Sequence, residues 1–135
     1  MKNEKYNCRN CDKEFGFKGH SYSHMYCDNK CQHEYQYKQR IVEWKDGGKV
    51  AGRFQLKRYL AEQKHGCWQC GITNWNDKEL VLEMEHIDGN SANNSEENLS
   101  LLCPNCHSQT STYKNRNIRN GRHSRRQRYQ EGKSY

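Results

Sequence analysis

Apolar residues are scarce in this chain. They make up 32% of 135 residues, too few for a conventional core, and chains this poor in them need some other staple. No run is long or apolar enough to span a membrane. Met1-Lys2-Asn3-Glu4 leads into no apolar stretch, so a secretory leader is not expected and a reducing cytoplasm is. No long internal repeat is present. Glycine clusters only once, at Asp46-Gly47-Gly48-Lys49-Val50-Ala51-Gly52, which reads as a linker.

Cysteine is what the chain has in excess. Its eight cysteines fall into four close pairs, Cys8/Cys11, Cys27/Cys31, Cys67/Cys70 and Cys103/Cys106. Disulfides are one reading, as in small secreted domains. Metal fits better, because two such pairs separated by a loop make one tetrahedral zinc site. Two closed structural Zn²⁺ sites are therefore expected, Cys8, Cys11, Cys27 and Cys31 holding one, and Cys67, Cys70, Cys103 and Cys106 the other. His33, beside Cys31, is a rival ligand. Charge is also unevenly spread. Between Tyr113 and Tyr135 eight basic residues (Lys114, Arg116, Arg119, Arg122, Arg125, Arg126, Arg128 and Lys133) face one acid, Glu131. That stretch carries the whole net charge of +7 and the rest is neutral. A neutral body with a cationic tail reads as a nucleic-acid arm, or more blandly as a solubilising tail.

The first quartet has the spacing Cys-x2-Cys-x15-Cys-x3-Cys, and the alternation Phe15-Gly16-Phe17-Lys18-Gly19-His20 suits a small hairpin. Residues 28 to 44 lack proline and glycine and carry Tyr37, Ile41 and Trp44 at helical spacing, which predicts a helix. A knuckle, a hairpin and a helix that starts at the last ligands describe a treble-clef-like finger. A second helix is predicted from about Arg53 to Lys64, stopped by Gly66. Leu80 to Glu85 reads as a strand, Ser91 to Asn98 as a polar loop and Leu99 to Leu102 as a second strand. Pro104 suits the first turn of a helix running to about Tyr113. The expected parts are residues 1–45 (finger and helix), 46–52 (linker), 53–115 (a second zinc-stapled unit) and 116–135 (basic tail), in a small α+β protein.

The segment Leu82-Glu83-Met84-Glu85-His86-Ile87-Asp88-Gly89-Asn90, followed by Asn93-Asn94, Glu97-Asn98-Leu99 and Leu101-Leu102-Cys103-Pro104-Asn105-Cys106-His107, resembles the HNH endonucleases. With the N-terminal finger ending in Tyr26-Cys27-Asp28-Asn29-Lys30-Cys31 and the tail containing Asn120-Gly121-Arg122, it is similar to phage-encoded, free-standing homing-type members. The resemblance implies a ββα-metal fold, with His86, Asn98 and His107 as the named residues. It implies cleavage of double-stranded DNA to 5′-phosphate and 3′-hydroxyl ends, and a phage protein acting in a bacterial cytoplasm.

The resemblance and general chemistry together assign the roles. A neutral imidazole, with an ordinary pKa of about 6.5, suits a general base near neutrality, and His86 takes that part with Asn98 orienting its ring. Glu85 and His107 are expected to hold one catalytic Mg²⁺ or Mn²⁺, leaving positions for phosphate and water. Many family members carry Asp where this chain has Glu85, so metal preference is open. Glu83 shares a strand face with Glu85 and is a reserve ligand. Asn90 and Asn94 are expected to build the loop. His20, His24, His65 and His123 are assigned to surface or packing, and Tyr22, Tyr26, Tyr35, Tyr37, Trp68 and Trp75 to filling around the zinc sites. One site per chain predicts nicking by a monomer, or double-strand cleavage by a DNA-assembled dimer. The alternatives are a zinc protein that binds DNA without cutting and an RNA-directed nuclease.

Overall fold

A computed structural model describes residues 4–16, 24–117 and 123–132. The chain divides into two compact units, residues 1–51 and 52–135. Among the described residues no helix is long and apolar enough to cross a membrane.

In the first unit, β1 (Lys5–Asn7) pairs antiparallel with β2 (Glu14–Gly16), Tyr6 opposite Phe15. The turn between them is the first cysteine knuckle. Cys8 N–H donates to Lys13 O at 3.0 Å, and Asp12 N–H donates to Cys8 O at 2.8 Å. The hairpin therefore lies earlier than the aromatic–glycine alternation suggested, and Phe17 to His20 fall outside the described residues. Helix α1 (Asn29–Lys45) starts where the Asp28 side chain accepts the Cys31 N–H at 2.7 Å, filling one of the orphan donors of a first turn. Tyr37, Ile41 and Trp44 are its buried residues, as their spacing predicts.

The second unit opens with α2 (Arg53–Gln63), which buries Leu56, Tyr59 and Leu60. A second knuckle follows with the bonding of the first: Cys67 N–H to Ile72 O at 3.0 Å and Gly71 N–H to Cys67 O at 2.8 Å. Its left-handed residue is Gly71, φ +77°, where the first knuckle uses Asp12, φ +60°. A short hairpin, β3 (Asn74–Trp75) with β4 (Lys78–Glu79), was not expected. It turns on Asn76 and Asp77, both at positive φ, as a two-residue hairpin loop requires. It leaves Trp75 59% exposed, so Trp75 does not fill a zinc core, whereas Trp68 does pack against the second cluster.

The remaining order is strand, loop, strand, helix. β5 (Glu83–His86) pairs antiparallel with β6 (Leu99–Leu102), matching Glu83 with Leu102, Glu85 with Ser100 and His86 with Leu99. All four residues of β6 are buried, which places the core of this unit on that strand between α2 and α3 (Pro104–Ser108). Two boundaries differ from expectation. Pairing starts at Glu83, because β6 stops at Leu102 and leaves Leu80 and Leu82 to pack on the cysteine cluster. Helix α3 ends at Ser108, well before Tyr113. There Ser108 Oγ donates to Asn105 O at 2.7 Å and Thr110 Oγ1 to His107 O at 2.9 Å, side-chain bonds that compete with the helical ladder. The basic tail supplies a further helix, α4 (His123–Gln130).

Candidate active site

Each cysteine quartet converges, its four sulfurs lying within 4.8 Å of one another. Sγ–Sγ separations of 3.8 Å (Cys11–Cys27), 3.5 Å (Cys27–Cys31) and 3.8 Å (Cys70–Cys103) are far beyond disulfide bonding. They match the ~3.8 Å that a tetrahedron with Zn–S bonds of about 2.3 Å requires. Backbone donors point at the sulfurs, with Cys103 N–H to Cys67 Sγ at 3.2 Å and Cys106 N–H to Cys103 Sγ at 3.4 Å. Burial raises the Cys67 thiol's pKa, but backbone N–H groups of Cys70, Cys103 and Gln69 outweigh it and bring it down to about 6. Cys8 follows the same balance to about 6. Burial and the neighbouring thiols push Cys106 up to about 12. Such crowded sulfurs cannot all ionise unaided, and a dication resolves that conflict. Both quartets thus have the composition and spacing of structural zinc sites. His33 is exposed and outside the first.

The candidate catalytic residues lie on β5 and α3. The two-residue strand period puts Glu83 and Glu85 on one face of β5 and His86 on the other. Helix α3 begins at the second cysteine pair and carries His107 over the Glu83–Glu85 face. There His107 Nε2 lies 2.6 Å from Glu85 Oε2, while His107 Nδ1 bonds Glu83 Oε2. The Glu85 side chain is only 9% exposed, and its Oε1 accepts the hydroxyl of Thr112. Tyr113 packs edge-on against the His107 ring at 5.1 Å. One carboxylate oxygen and one imidazole nitrogen therefore face each other directly. With Nδ1 donating to Glu83, a neutral ring turns its Nε2 lone pair toward the Glu85 charge, and a proton shared across the 2.6 Å gap, or a cation seated beside both atoms, relieves the repulsion. A carboxylate oxygen and an imidazole nitrogen are both donors that a divalent cation can use.

His86 Nε2 faces Asn94 Oδ1 at 2.9 Å. The amide oxygen can only accept, so Nε2 carries the proton, which in the neutral ring leaves the lone pair on Nδ1. Here the structure departs from the expected pairing of Asn98 with His86. Asn98 is buried and fixes the loop instead. Its Oδ1 accepts Asp88 N–H at 3.0 Å, and its Nδ2 donates to Asp88 Oδ1 at 2.9 Å and Asn93 O at 2.8 Å. Its backbone O accepts the Ile87 N–H at 2.9 Å. Asp88 is the knot of this loop. Asn93 Nδ2, Asn90 N–H and Asn98 Nδ2 all donate to its carboxylate and hold its pKa below the usual carboxylate range.

Sequence reasoning missed the parts of Asn94, Thr112 and Asp88. Neither the pairing of His86 with Asn94 nor that of Glu85 with Thr112 lies within one helix or strand, and each depends on a loop closing. Of the expected phosphate-binding residues, Arg119 and Arg122 lie outside the described residues. Arg126 and Arg128 are exposed on α4, which also includes Arg125. Lys114 Nζ sits 4.9 Å above the Tyr113 ring. Arg116 Nη1 donates to Ser108 O and Thr110 O, each at 2.9 Å, so this guanidinium closes the end of α3.

Compared with known proteins, the chain is 40% identical over 98 residues to the H-N-H endonuclease F-TflIV of Escherichia phage T5, a match covering 70% of this chain and 42% of that protein. The chain thus spans less than half the length of that relative. No family model matches, and no solved structure matches.

Proposed function

We propose that the chain is an H-N-H endonuclease like the phage relative it matches, a metal-dependent enzyme that hydrolyses phosphodiester bonds in double-stranded DNA, leaving 5′-phosphate and 3′-hydroxyl ends. The observation that carries this reading is the set built on β5 and α3: Glu85 facing His107 Nε2 on one side of the strand, and His86 with a fixed tautomer on the other. In this reading β5, the Asp88 loop, β6 and α3 form the ββα-metal unit. The residue 4–45 region forms a treble-clef finger that grips DNA together with the exposed arginines of α4.

His86 Nδ1 takes the proton from the attacking water, with Asn94 holding the ring by its far nitrogen. The water's proton then rests on His86 as an imidazolium. Glu85 Oε2 and His107 Nε2 would hold one Mg²⁺ or Mn²⁺, which supplies charge neutralisation at the scissile phosphate and at the leaving 3′ oxygen. The second cysteine quartet, closed around zinc, takes no part in chemistry and fixes the start of α3 beneath His107. Tail arginines add sequence-tolerant affinity that falls with salt. A single site per chain makes the monomer a nicking enzyme, with double-strand breaks arising from a DNA-assembled dimer. The setting is a phage-encoded homing-type enzyme in the host cytoplasm.

The test is conversion of supercoiled plasmid by the wild type, His86→Ala and Asn94→Ala in Mg²⁺, Mn²⁺ or EDTA. Cleavage should require metal. It should fall by 10²–10⁴-fold in His86→Ala, the usual worth of a general base, and by less in Asn94→Ala, with DNA binding kept in both. Intact DNA under tight binding would leave a DNA-binding module, and preference for structured RNA over duplex DNA would redirect the substrate.

A further inference from the structure

Glu83 was expected, if anything, to be a spare metal ligand. The geometry points elsewhere. The two nitrogens of an imidazole project away from each other, so groups bound to them cannot meet at one ion. Glu85 is on Nε2 and Glu83 on Nδ1 of the same ring. Among the described residues only the two cysteine quartets bring three or more metal-binding donors within 4.8 Å, so Glu83 does not converge with Glu85 and His107. The strand period puts both carboxylates on one face of β5, opposite Leu102 and Ser100, and His107 is slotted between them. The two sites also differ in exposure, with the Glu85 side chain 9% and the Glu83 side chain 46% exposed.

We propose that Glu83 is the positioning residue of the catalytic metal site: it accepts the His107 Nδ1–H, fixes that tautomer, and so keeps the Nε2 lone pair aimed at the position beside Glu85 Oε2 where the ion binds. This rests on the reading of Glu85 and His107 as the ligand pair. A histidine ligand whose other N–H is held by a carboxylate is oriented and made more basic, and loss of such an outer partner weakens metal binding by about 10–100-fold. Thr112 does for Glu85 what Glu83 does for His107. By accepting its hydroxyl on Oε1, Glu85 is left with Oε2 turned toward the ring. Together the two outer contacts place the Glu85–His107 pair, and the rest of the ion's shell is left to phosphate and water.

The experiment uses the full zinc-loaded chain and Mn²⁺ as the probe, with free Mn²⁺ read by electron paramagnetic resonance and the His107 tautomer read from ¹⁵N long-range correlation spectra. Zinc content of two per chain and an unchanged circular dichroism spectrum qualify each variant as folded. Expected are a Nδ1–H tautomer in the wild type, lost Mn²⁺ binding in Glu85→Ala and His107→Ala, and a 10-fold or greater weakening in Glu83→Ala with a mixed tautomer. Glu83→Gln, which still offers an oxygen to Nδ1–H, should recover most of the affinity. Unchanged affinity in Glu83→Ala while His107→Ala loses the ion overturns the positioning role and leaves the ligand pair standing. A Glu83→Gln as weak as Glu83→Ala with the tautomer intact makes Glu83 a direct ligand and also overturns it. A wild type that binds no Mn²⁺, or an unaffected Glu85→Ala, removes the ligand pair itself.

Discussion

Asp88 keeps its charge by spending it on three donors, the Asn93 amide first, then the Asn90 N–H and the Asn98 amide. These bonds are strongest while the carboxylate is ionised, and they tie the residue after His86-Ile87 to the strand that follows the loop. Its pKa is depressed in the folded chain, so the unfolded chain takes up its proton first as pH falls. The stabilisation is therefore complete above the unfolded value and is lost only as pH drops through the lower folded one. Asp88→Asn should melt below the wild type, and the gap between the two melting temperatures should stay constant from about pH 5.5 to 8, since the titration lies wholly beneath about pH 5. Thermal melts across that interval check it. A gap that narrows inside it would mean that Asp88 titrates near neutrality and is not the clamped carboxylate described here.

At the scale of elements, legibility followed locality. Helix α1 could be read because its buried triplet, its lack of glycine and proline and its Asp28 cap are all written within 17 residues. The two knuckles could be read from cysteine spacing, and Glu85, His86 and His107 from their motif. What could not be read depended on where other segments ended. The Leu80–Leu82 run has strand composition but finds no partner beyond Leu102, and the end of α3 is set by Arg116, eight residues after Ser108. Asn98 and Asn94 could not be told apart by sequence, as both are asparagines in one polar loop and only its closure decides which amide meets His86. Gly89 shows how tightly that loop meets the segment after α3. It sits at φ +73°, and a Cβ there would lie 2.4 Å from Asn117 Oδ1 and 2.7 Å from Thr112 Cγ2. Its carbonyl accepts Asn117 Nδ2–H at 2.7 Å. Gly89→Ala combines backbone strain worth about 1–3 kcal/mol with displacement of the residue that bonds Glu85. It should lower stability by about 2 kcal/mol in a denaturant melt, and it should weaken Mn²⁺ binding although it touches neither ligand. A variant with full stability and full Mn²⁺ affinity would show that the 112–117 segment is not a support of the site.

For the whole molecule the scarcity of apolar residues and the abundance of cysteine are one fact. The second unit's cluster of Cys67, Leu102, Cys103 and Cys106, with Trp68, Ile72, Leu80 and Leu82 around it, is as much metal site as core. Zinc in finger-like units is worth about 10–16 kcal/mol of apparent binding free energy, as much as the entire stability of a typical domain, about 5–15 kcal/mol. Each unit holds its own quartet, so the two ions should be separable in their effects. The Cys67 sulfur accepts the N–H of Cys103, the residue that caps α3 and so sets the position of His107. Cys67→Ser should therefore leave one zinc per chain and abolish both Mn²⁺ binding and cleavage. Cys8→Ser should also leave one zinc, but keep Mn²⁺ affinity within about twofold while weakening DNA binding, because the first quartet belongs to the other compact unit. Zinc analysis of the purified variants, followed by Mn²⁺ titration and gel shift, checks both arms. If Cys8→Ser lost Mn²⁺ binding as completely as Cys67→Ser, the two units would fold as one. If Cys67→Ser kept it, β5, β6 and α3 would hold the site without zinc, and the metal would have no part in building it.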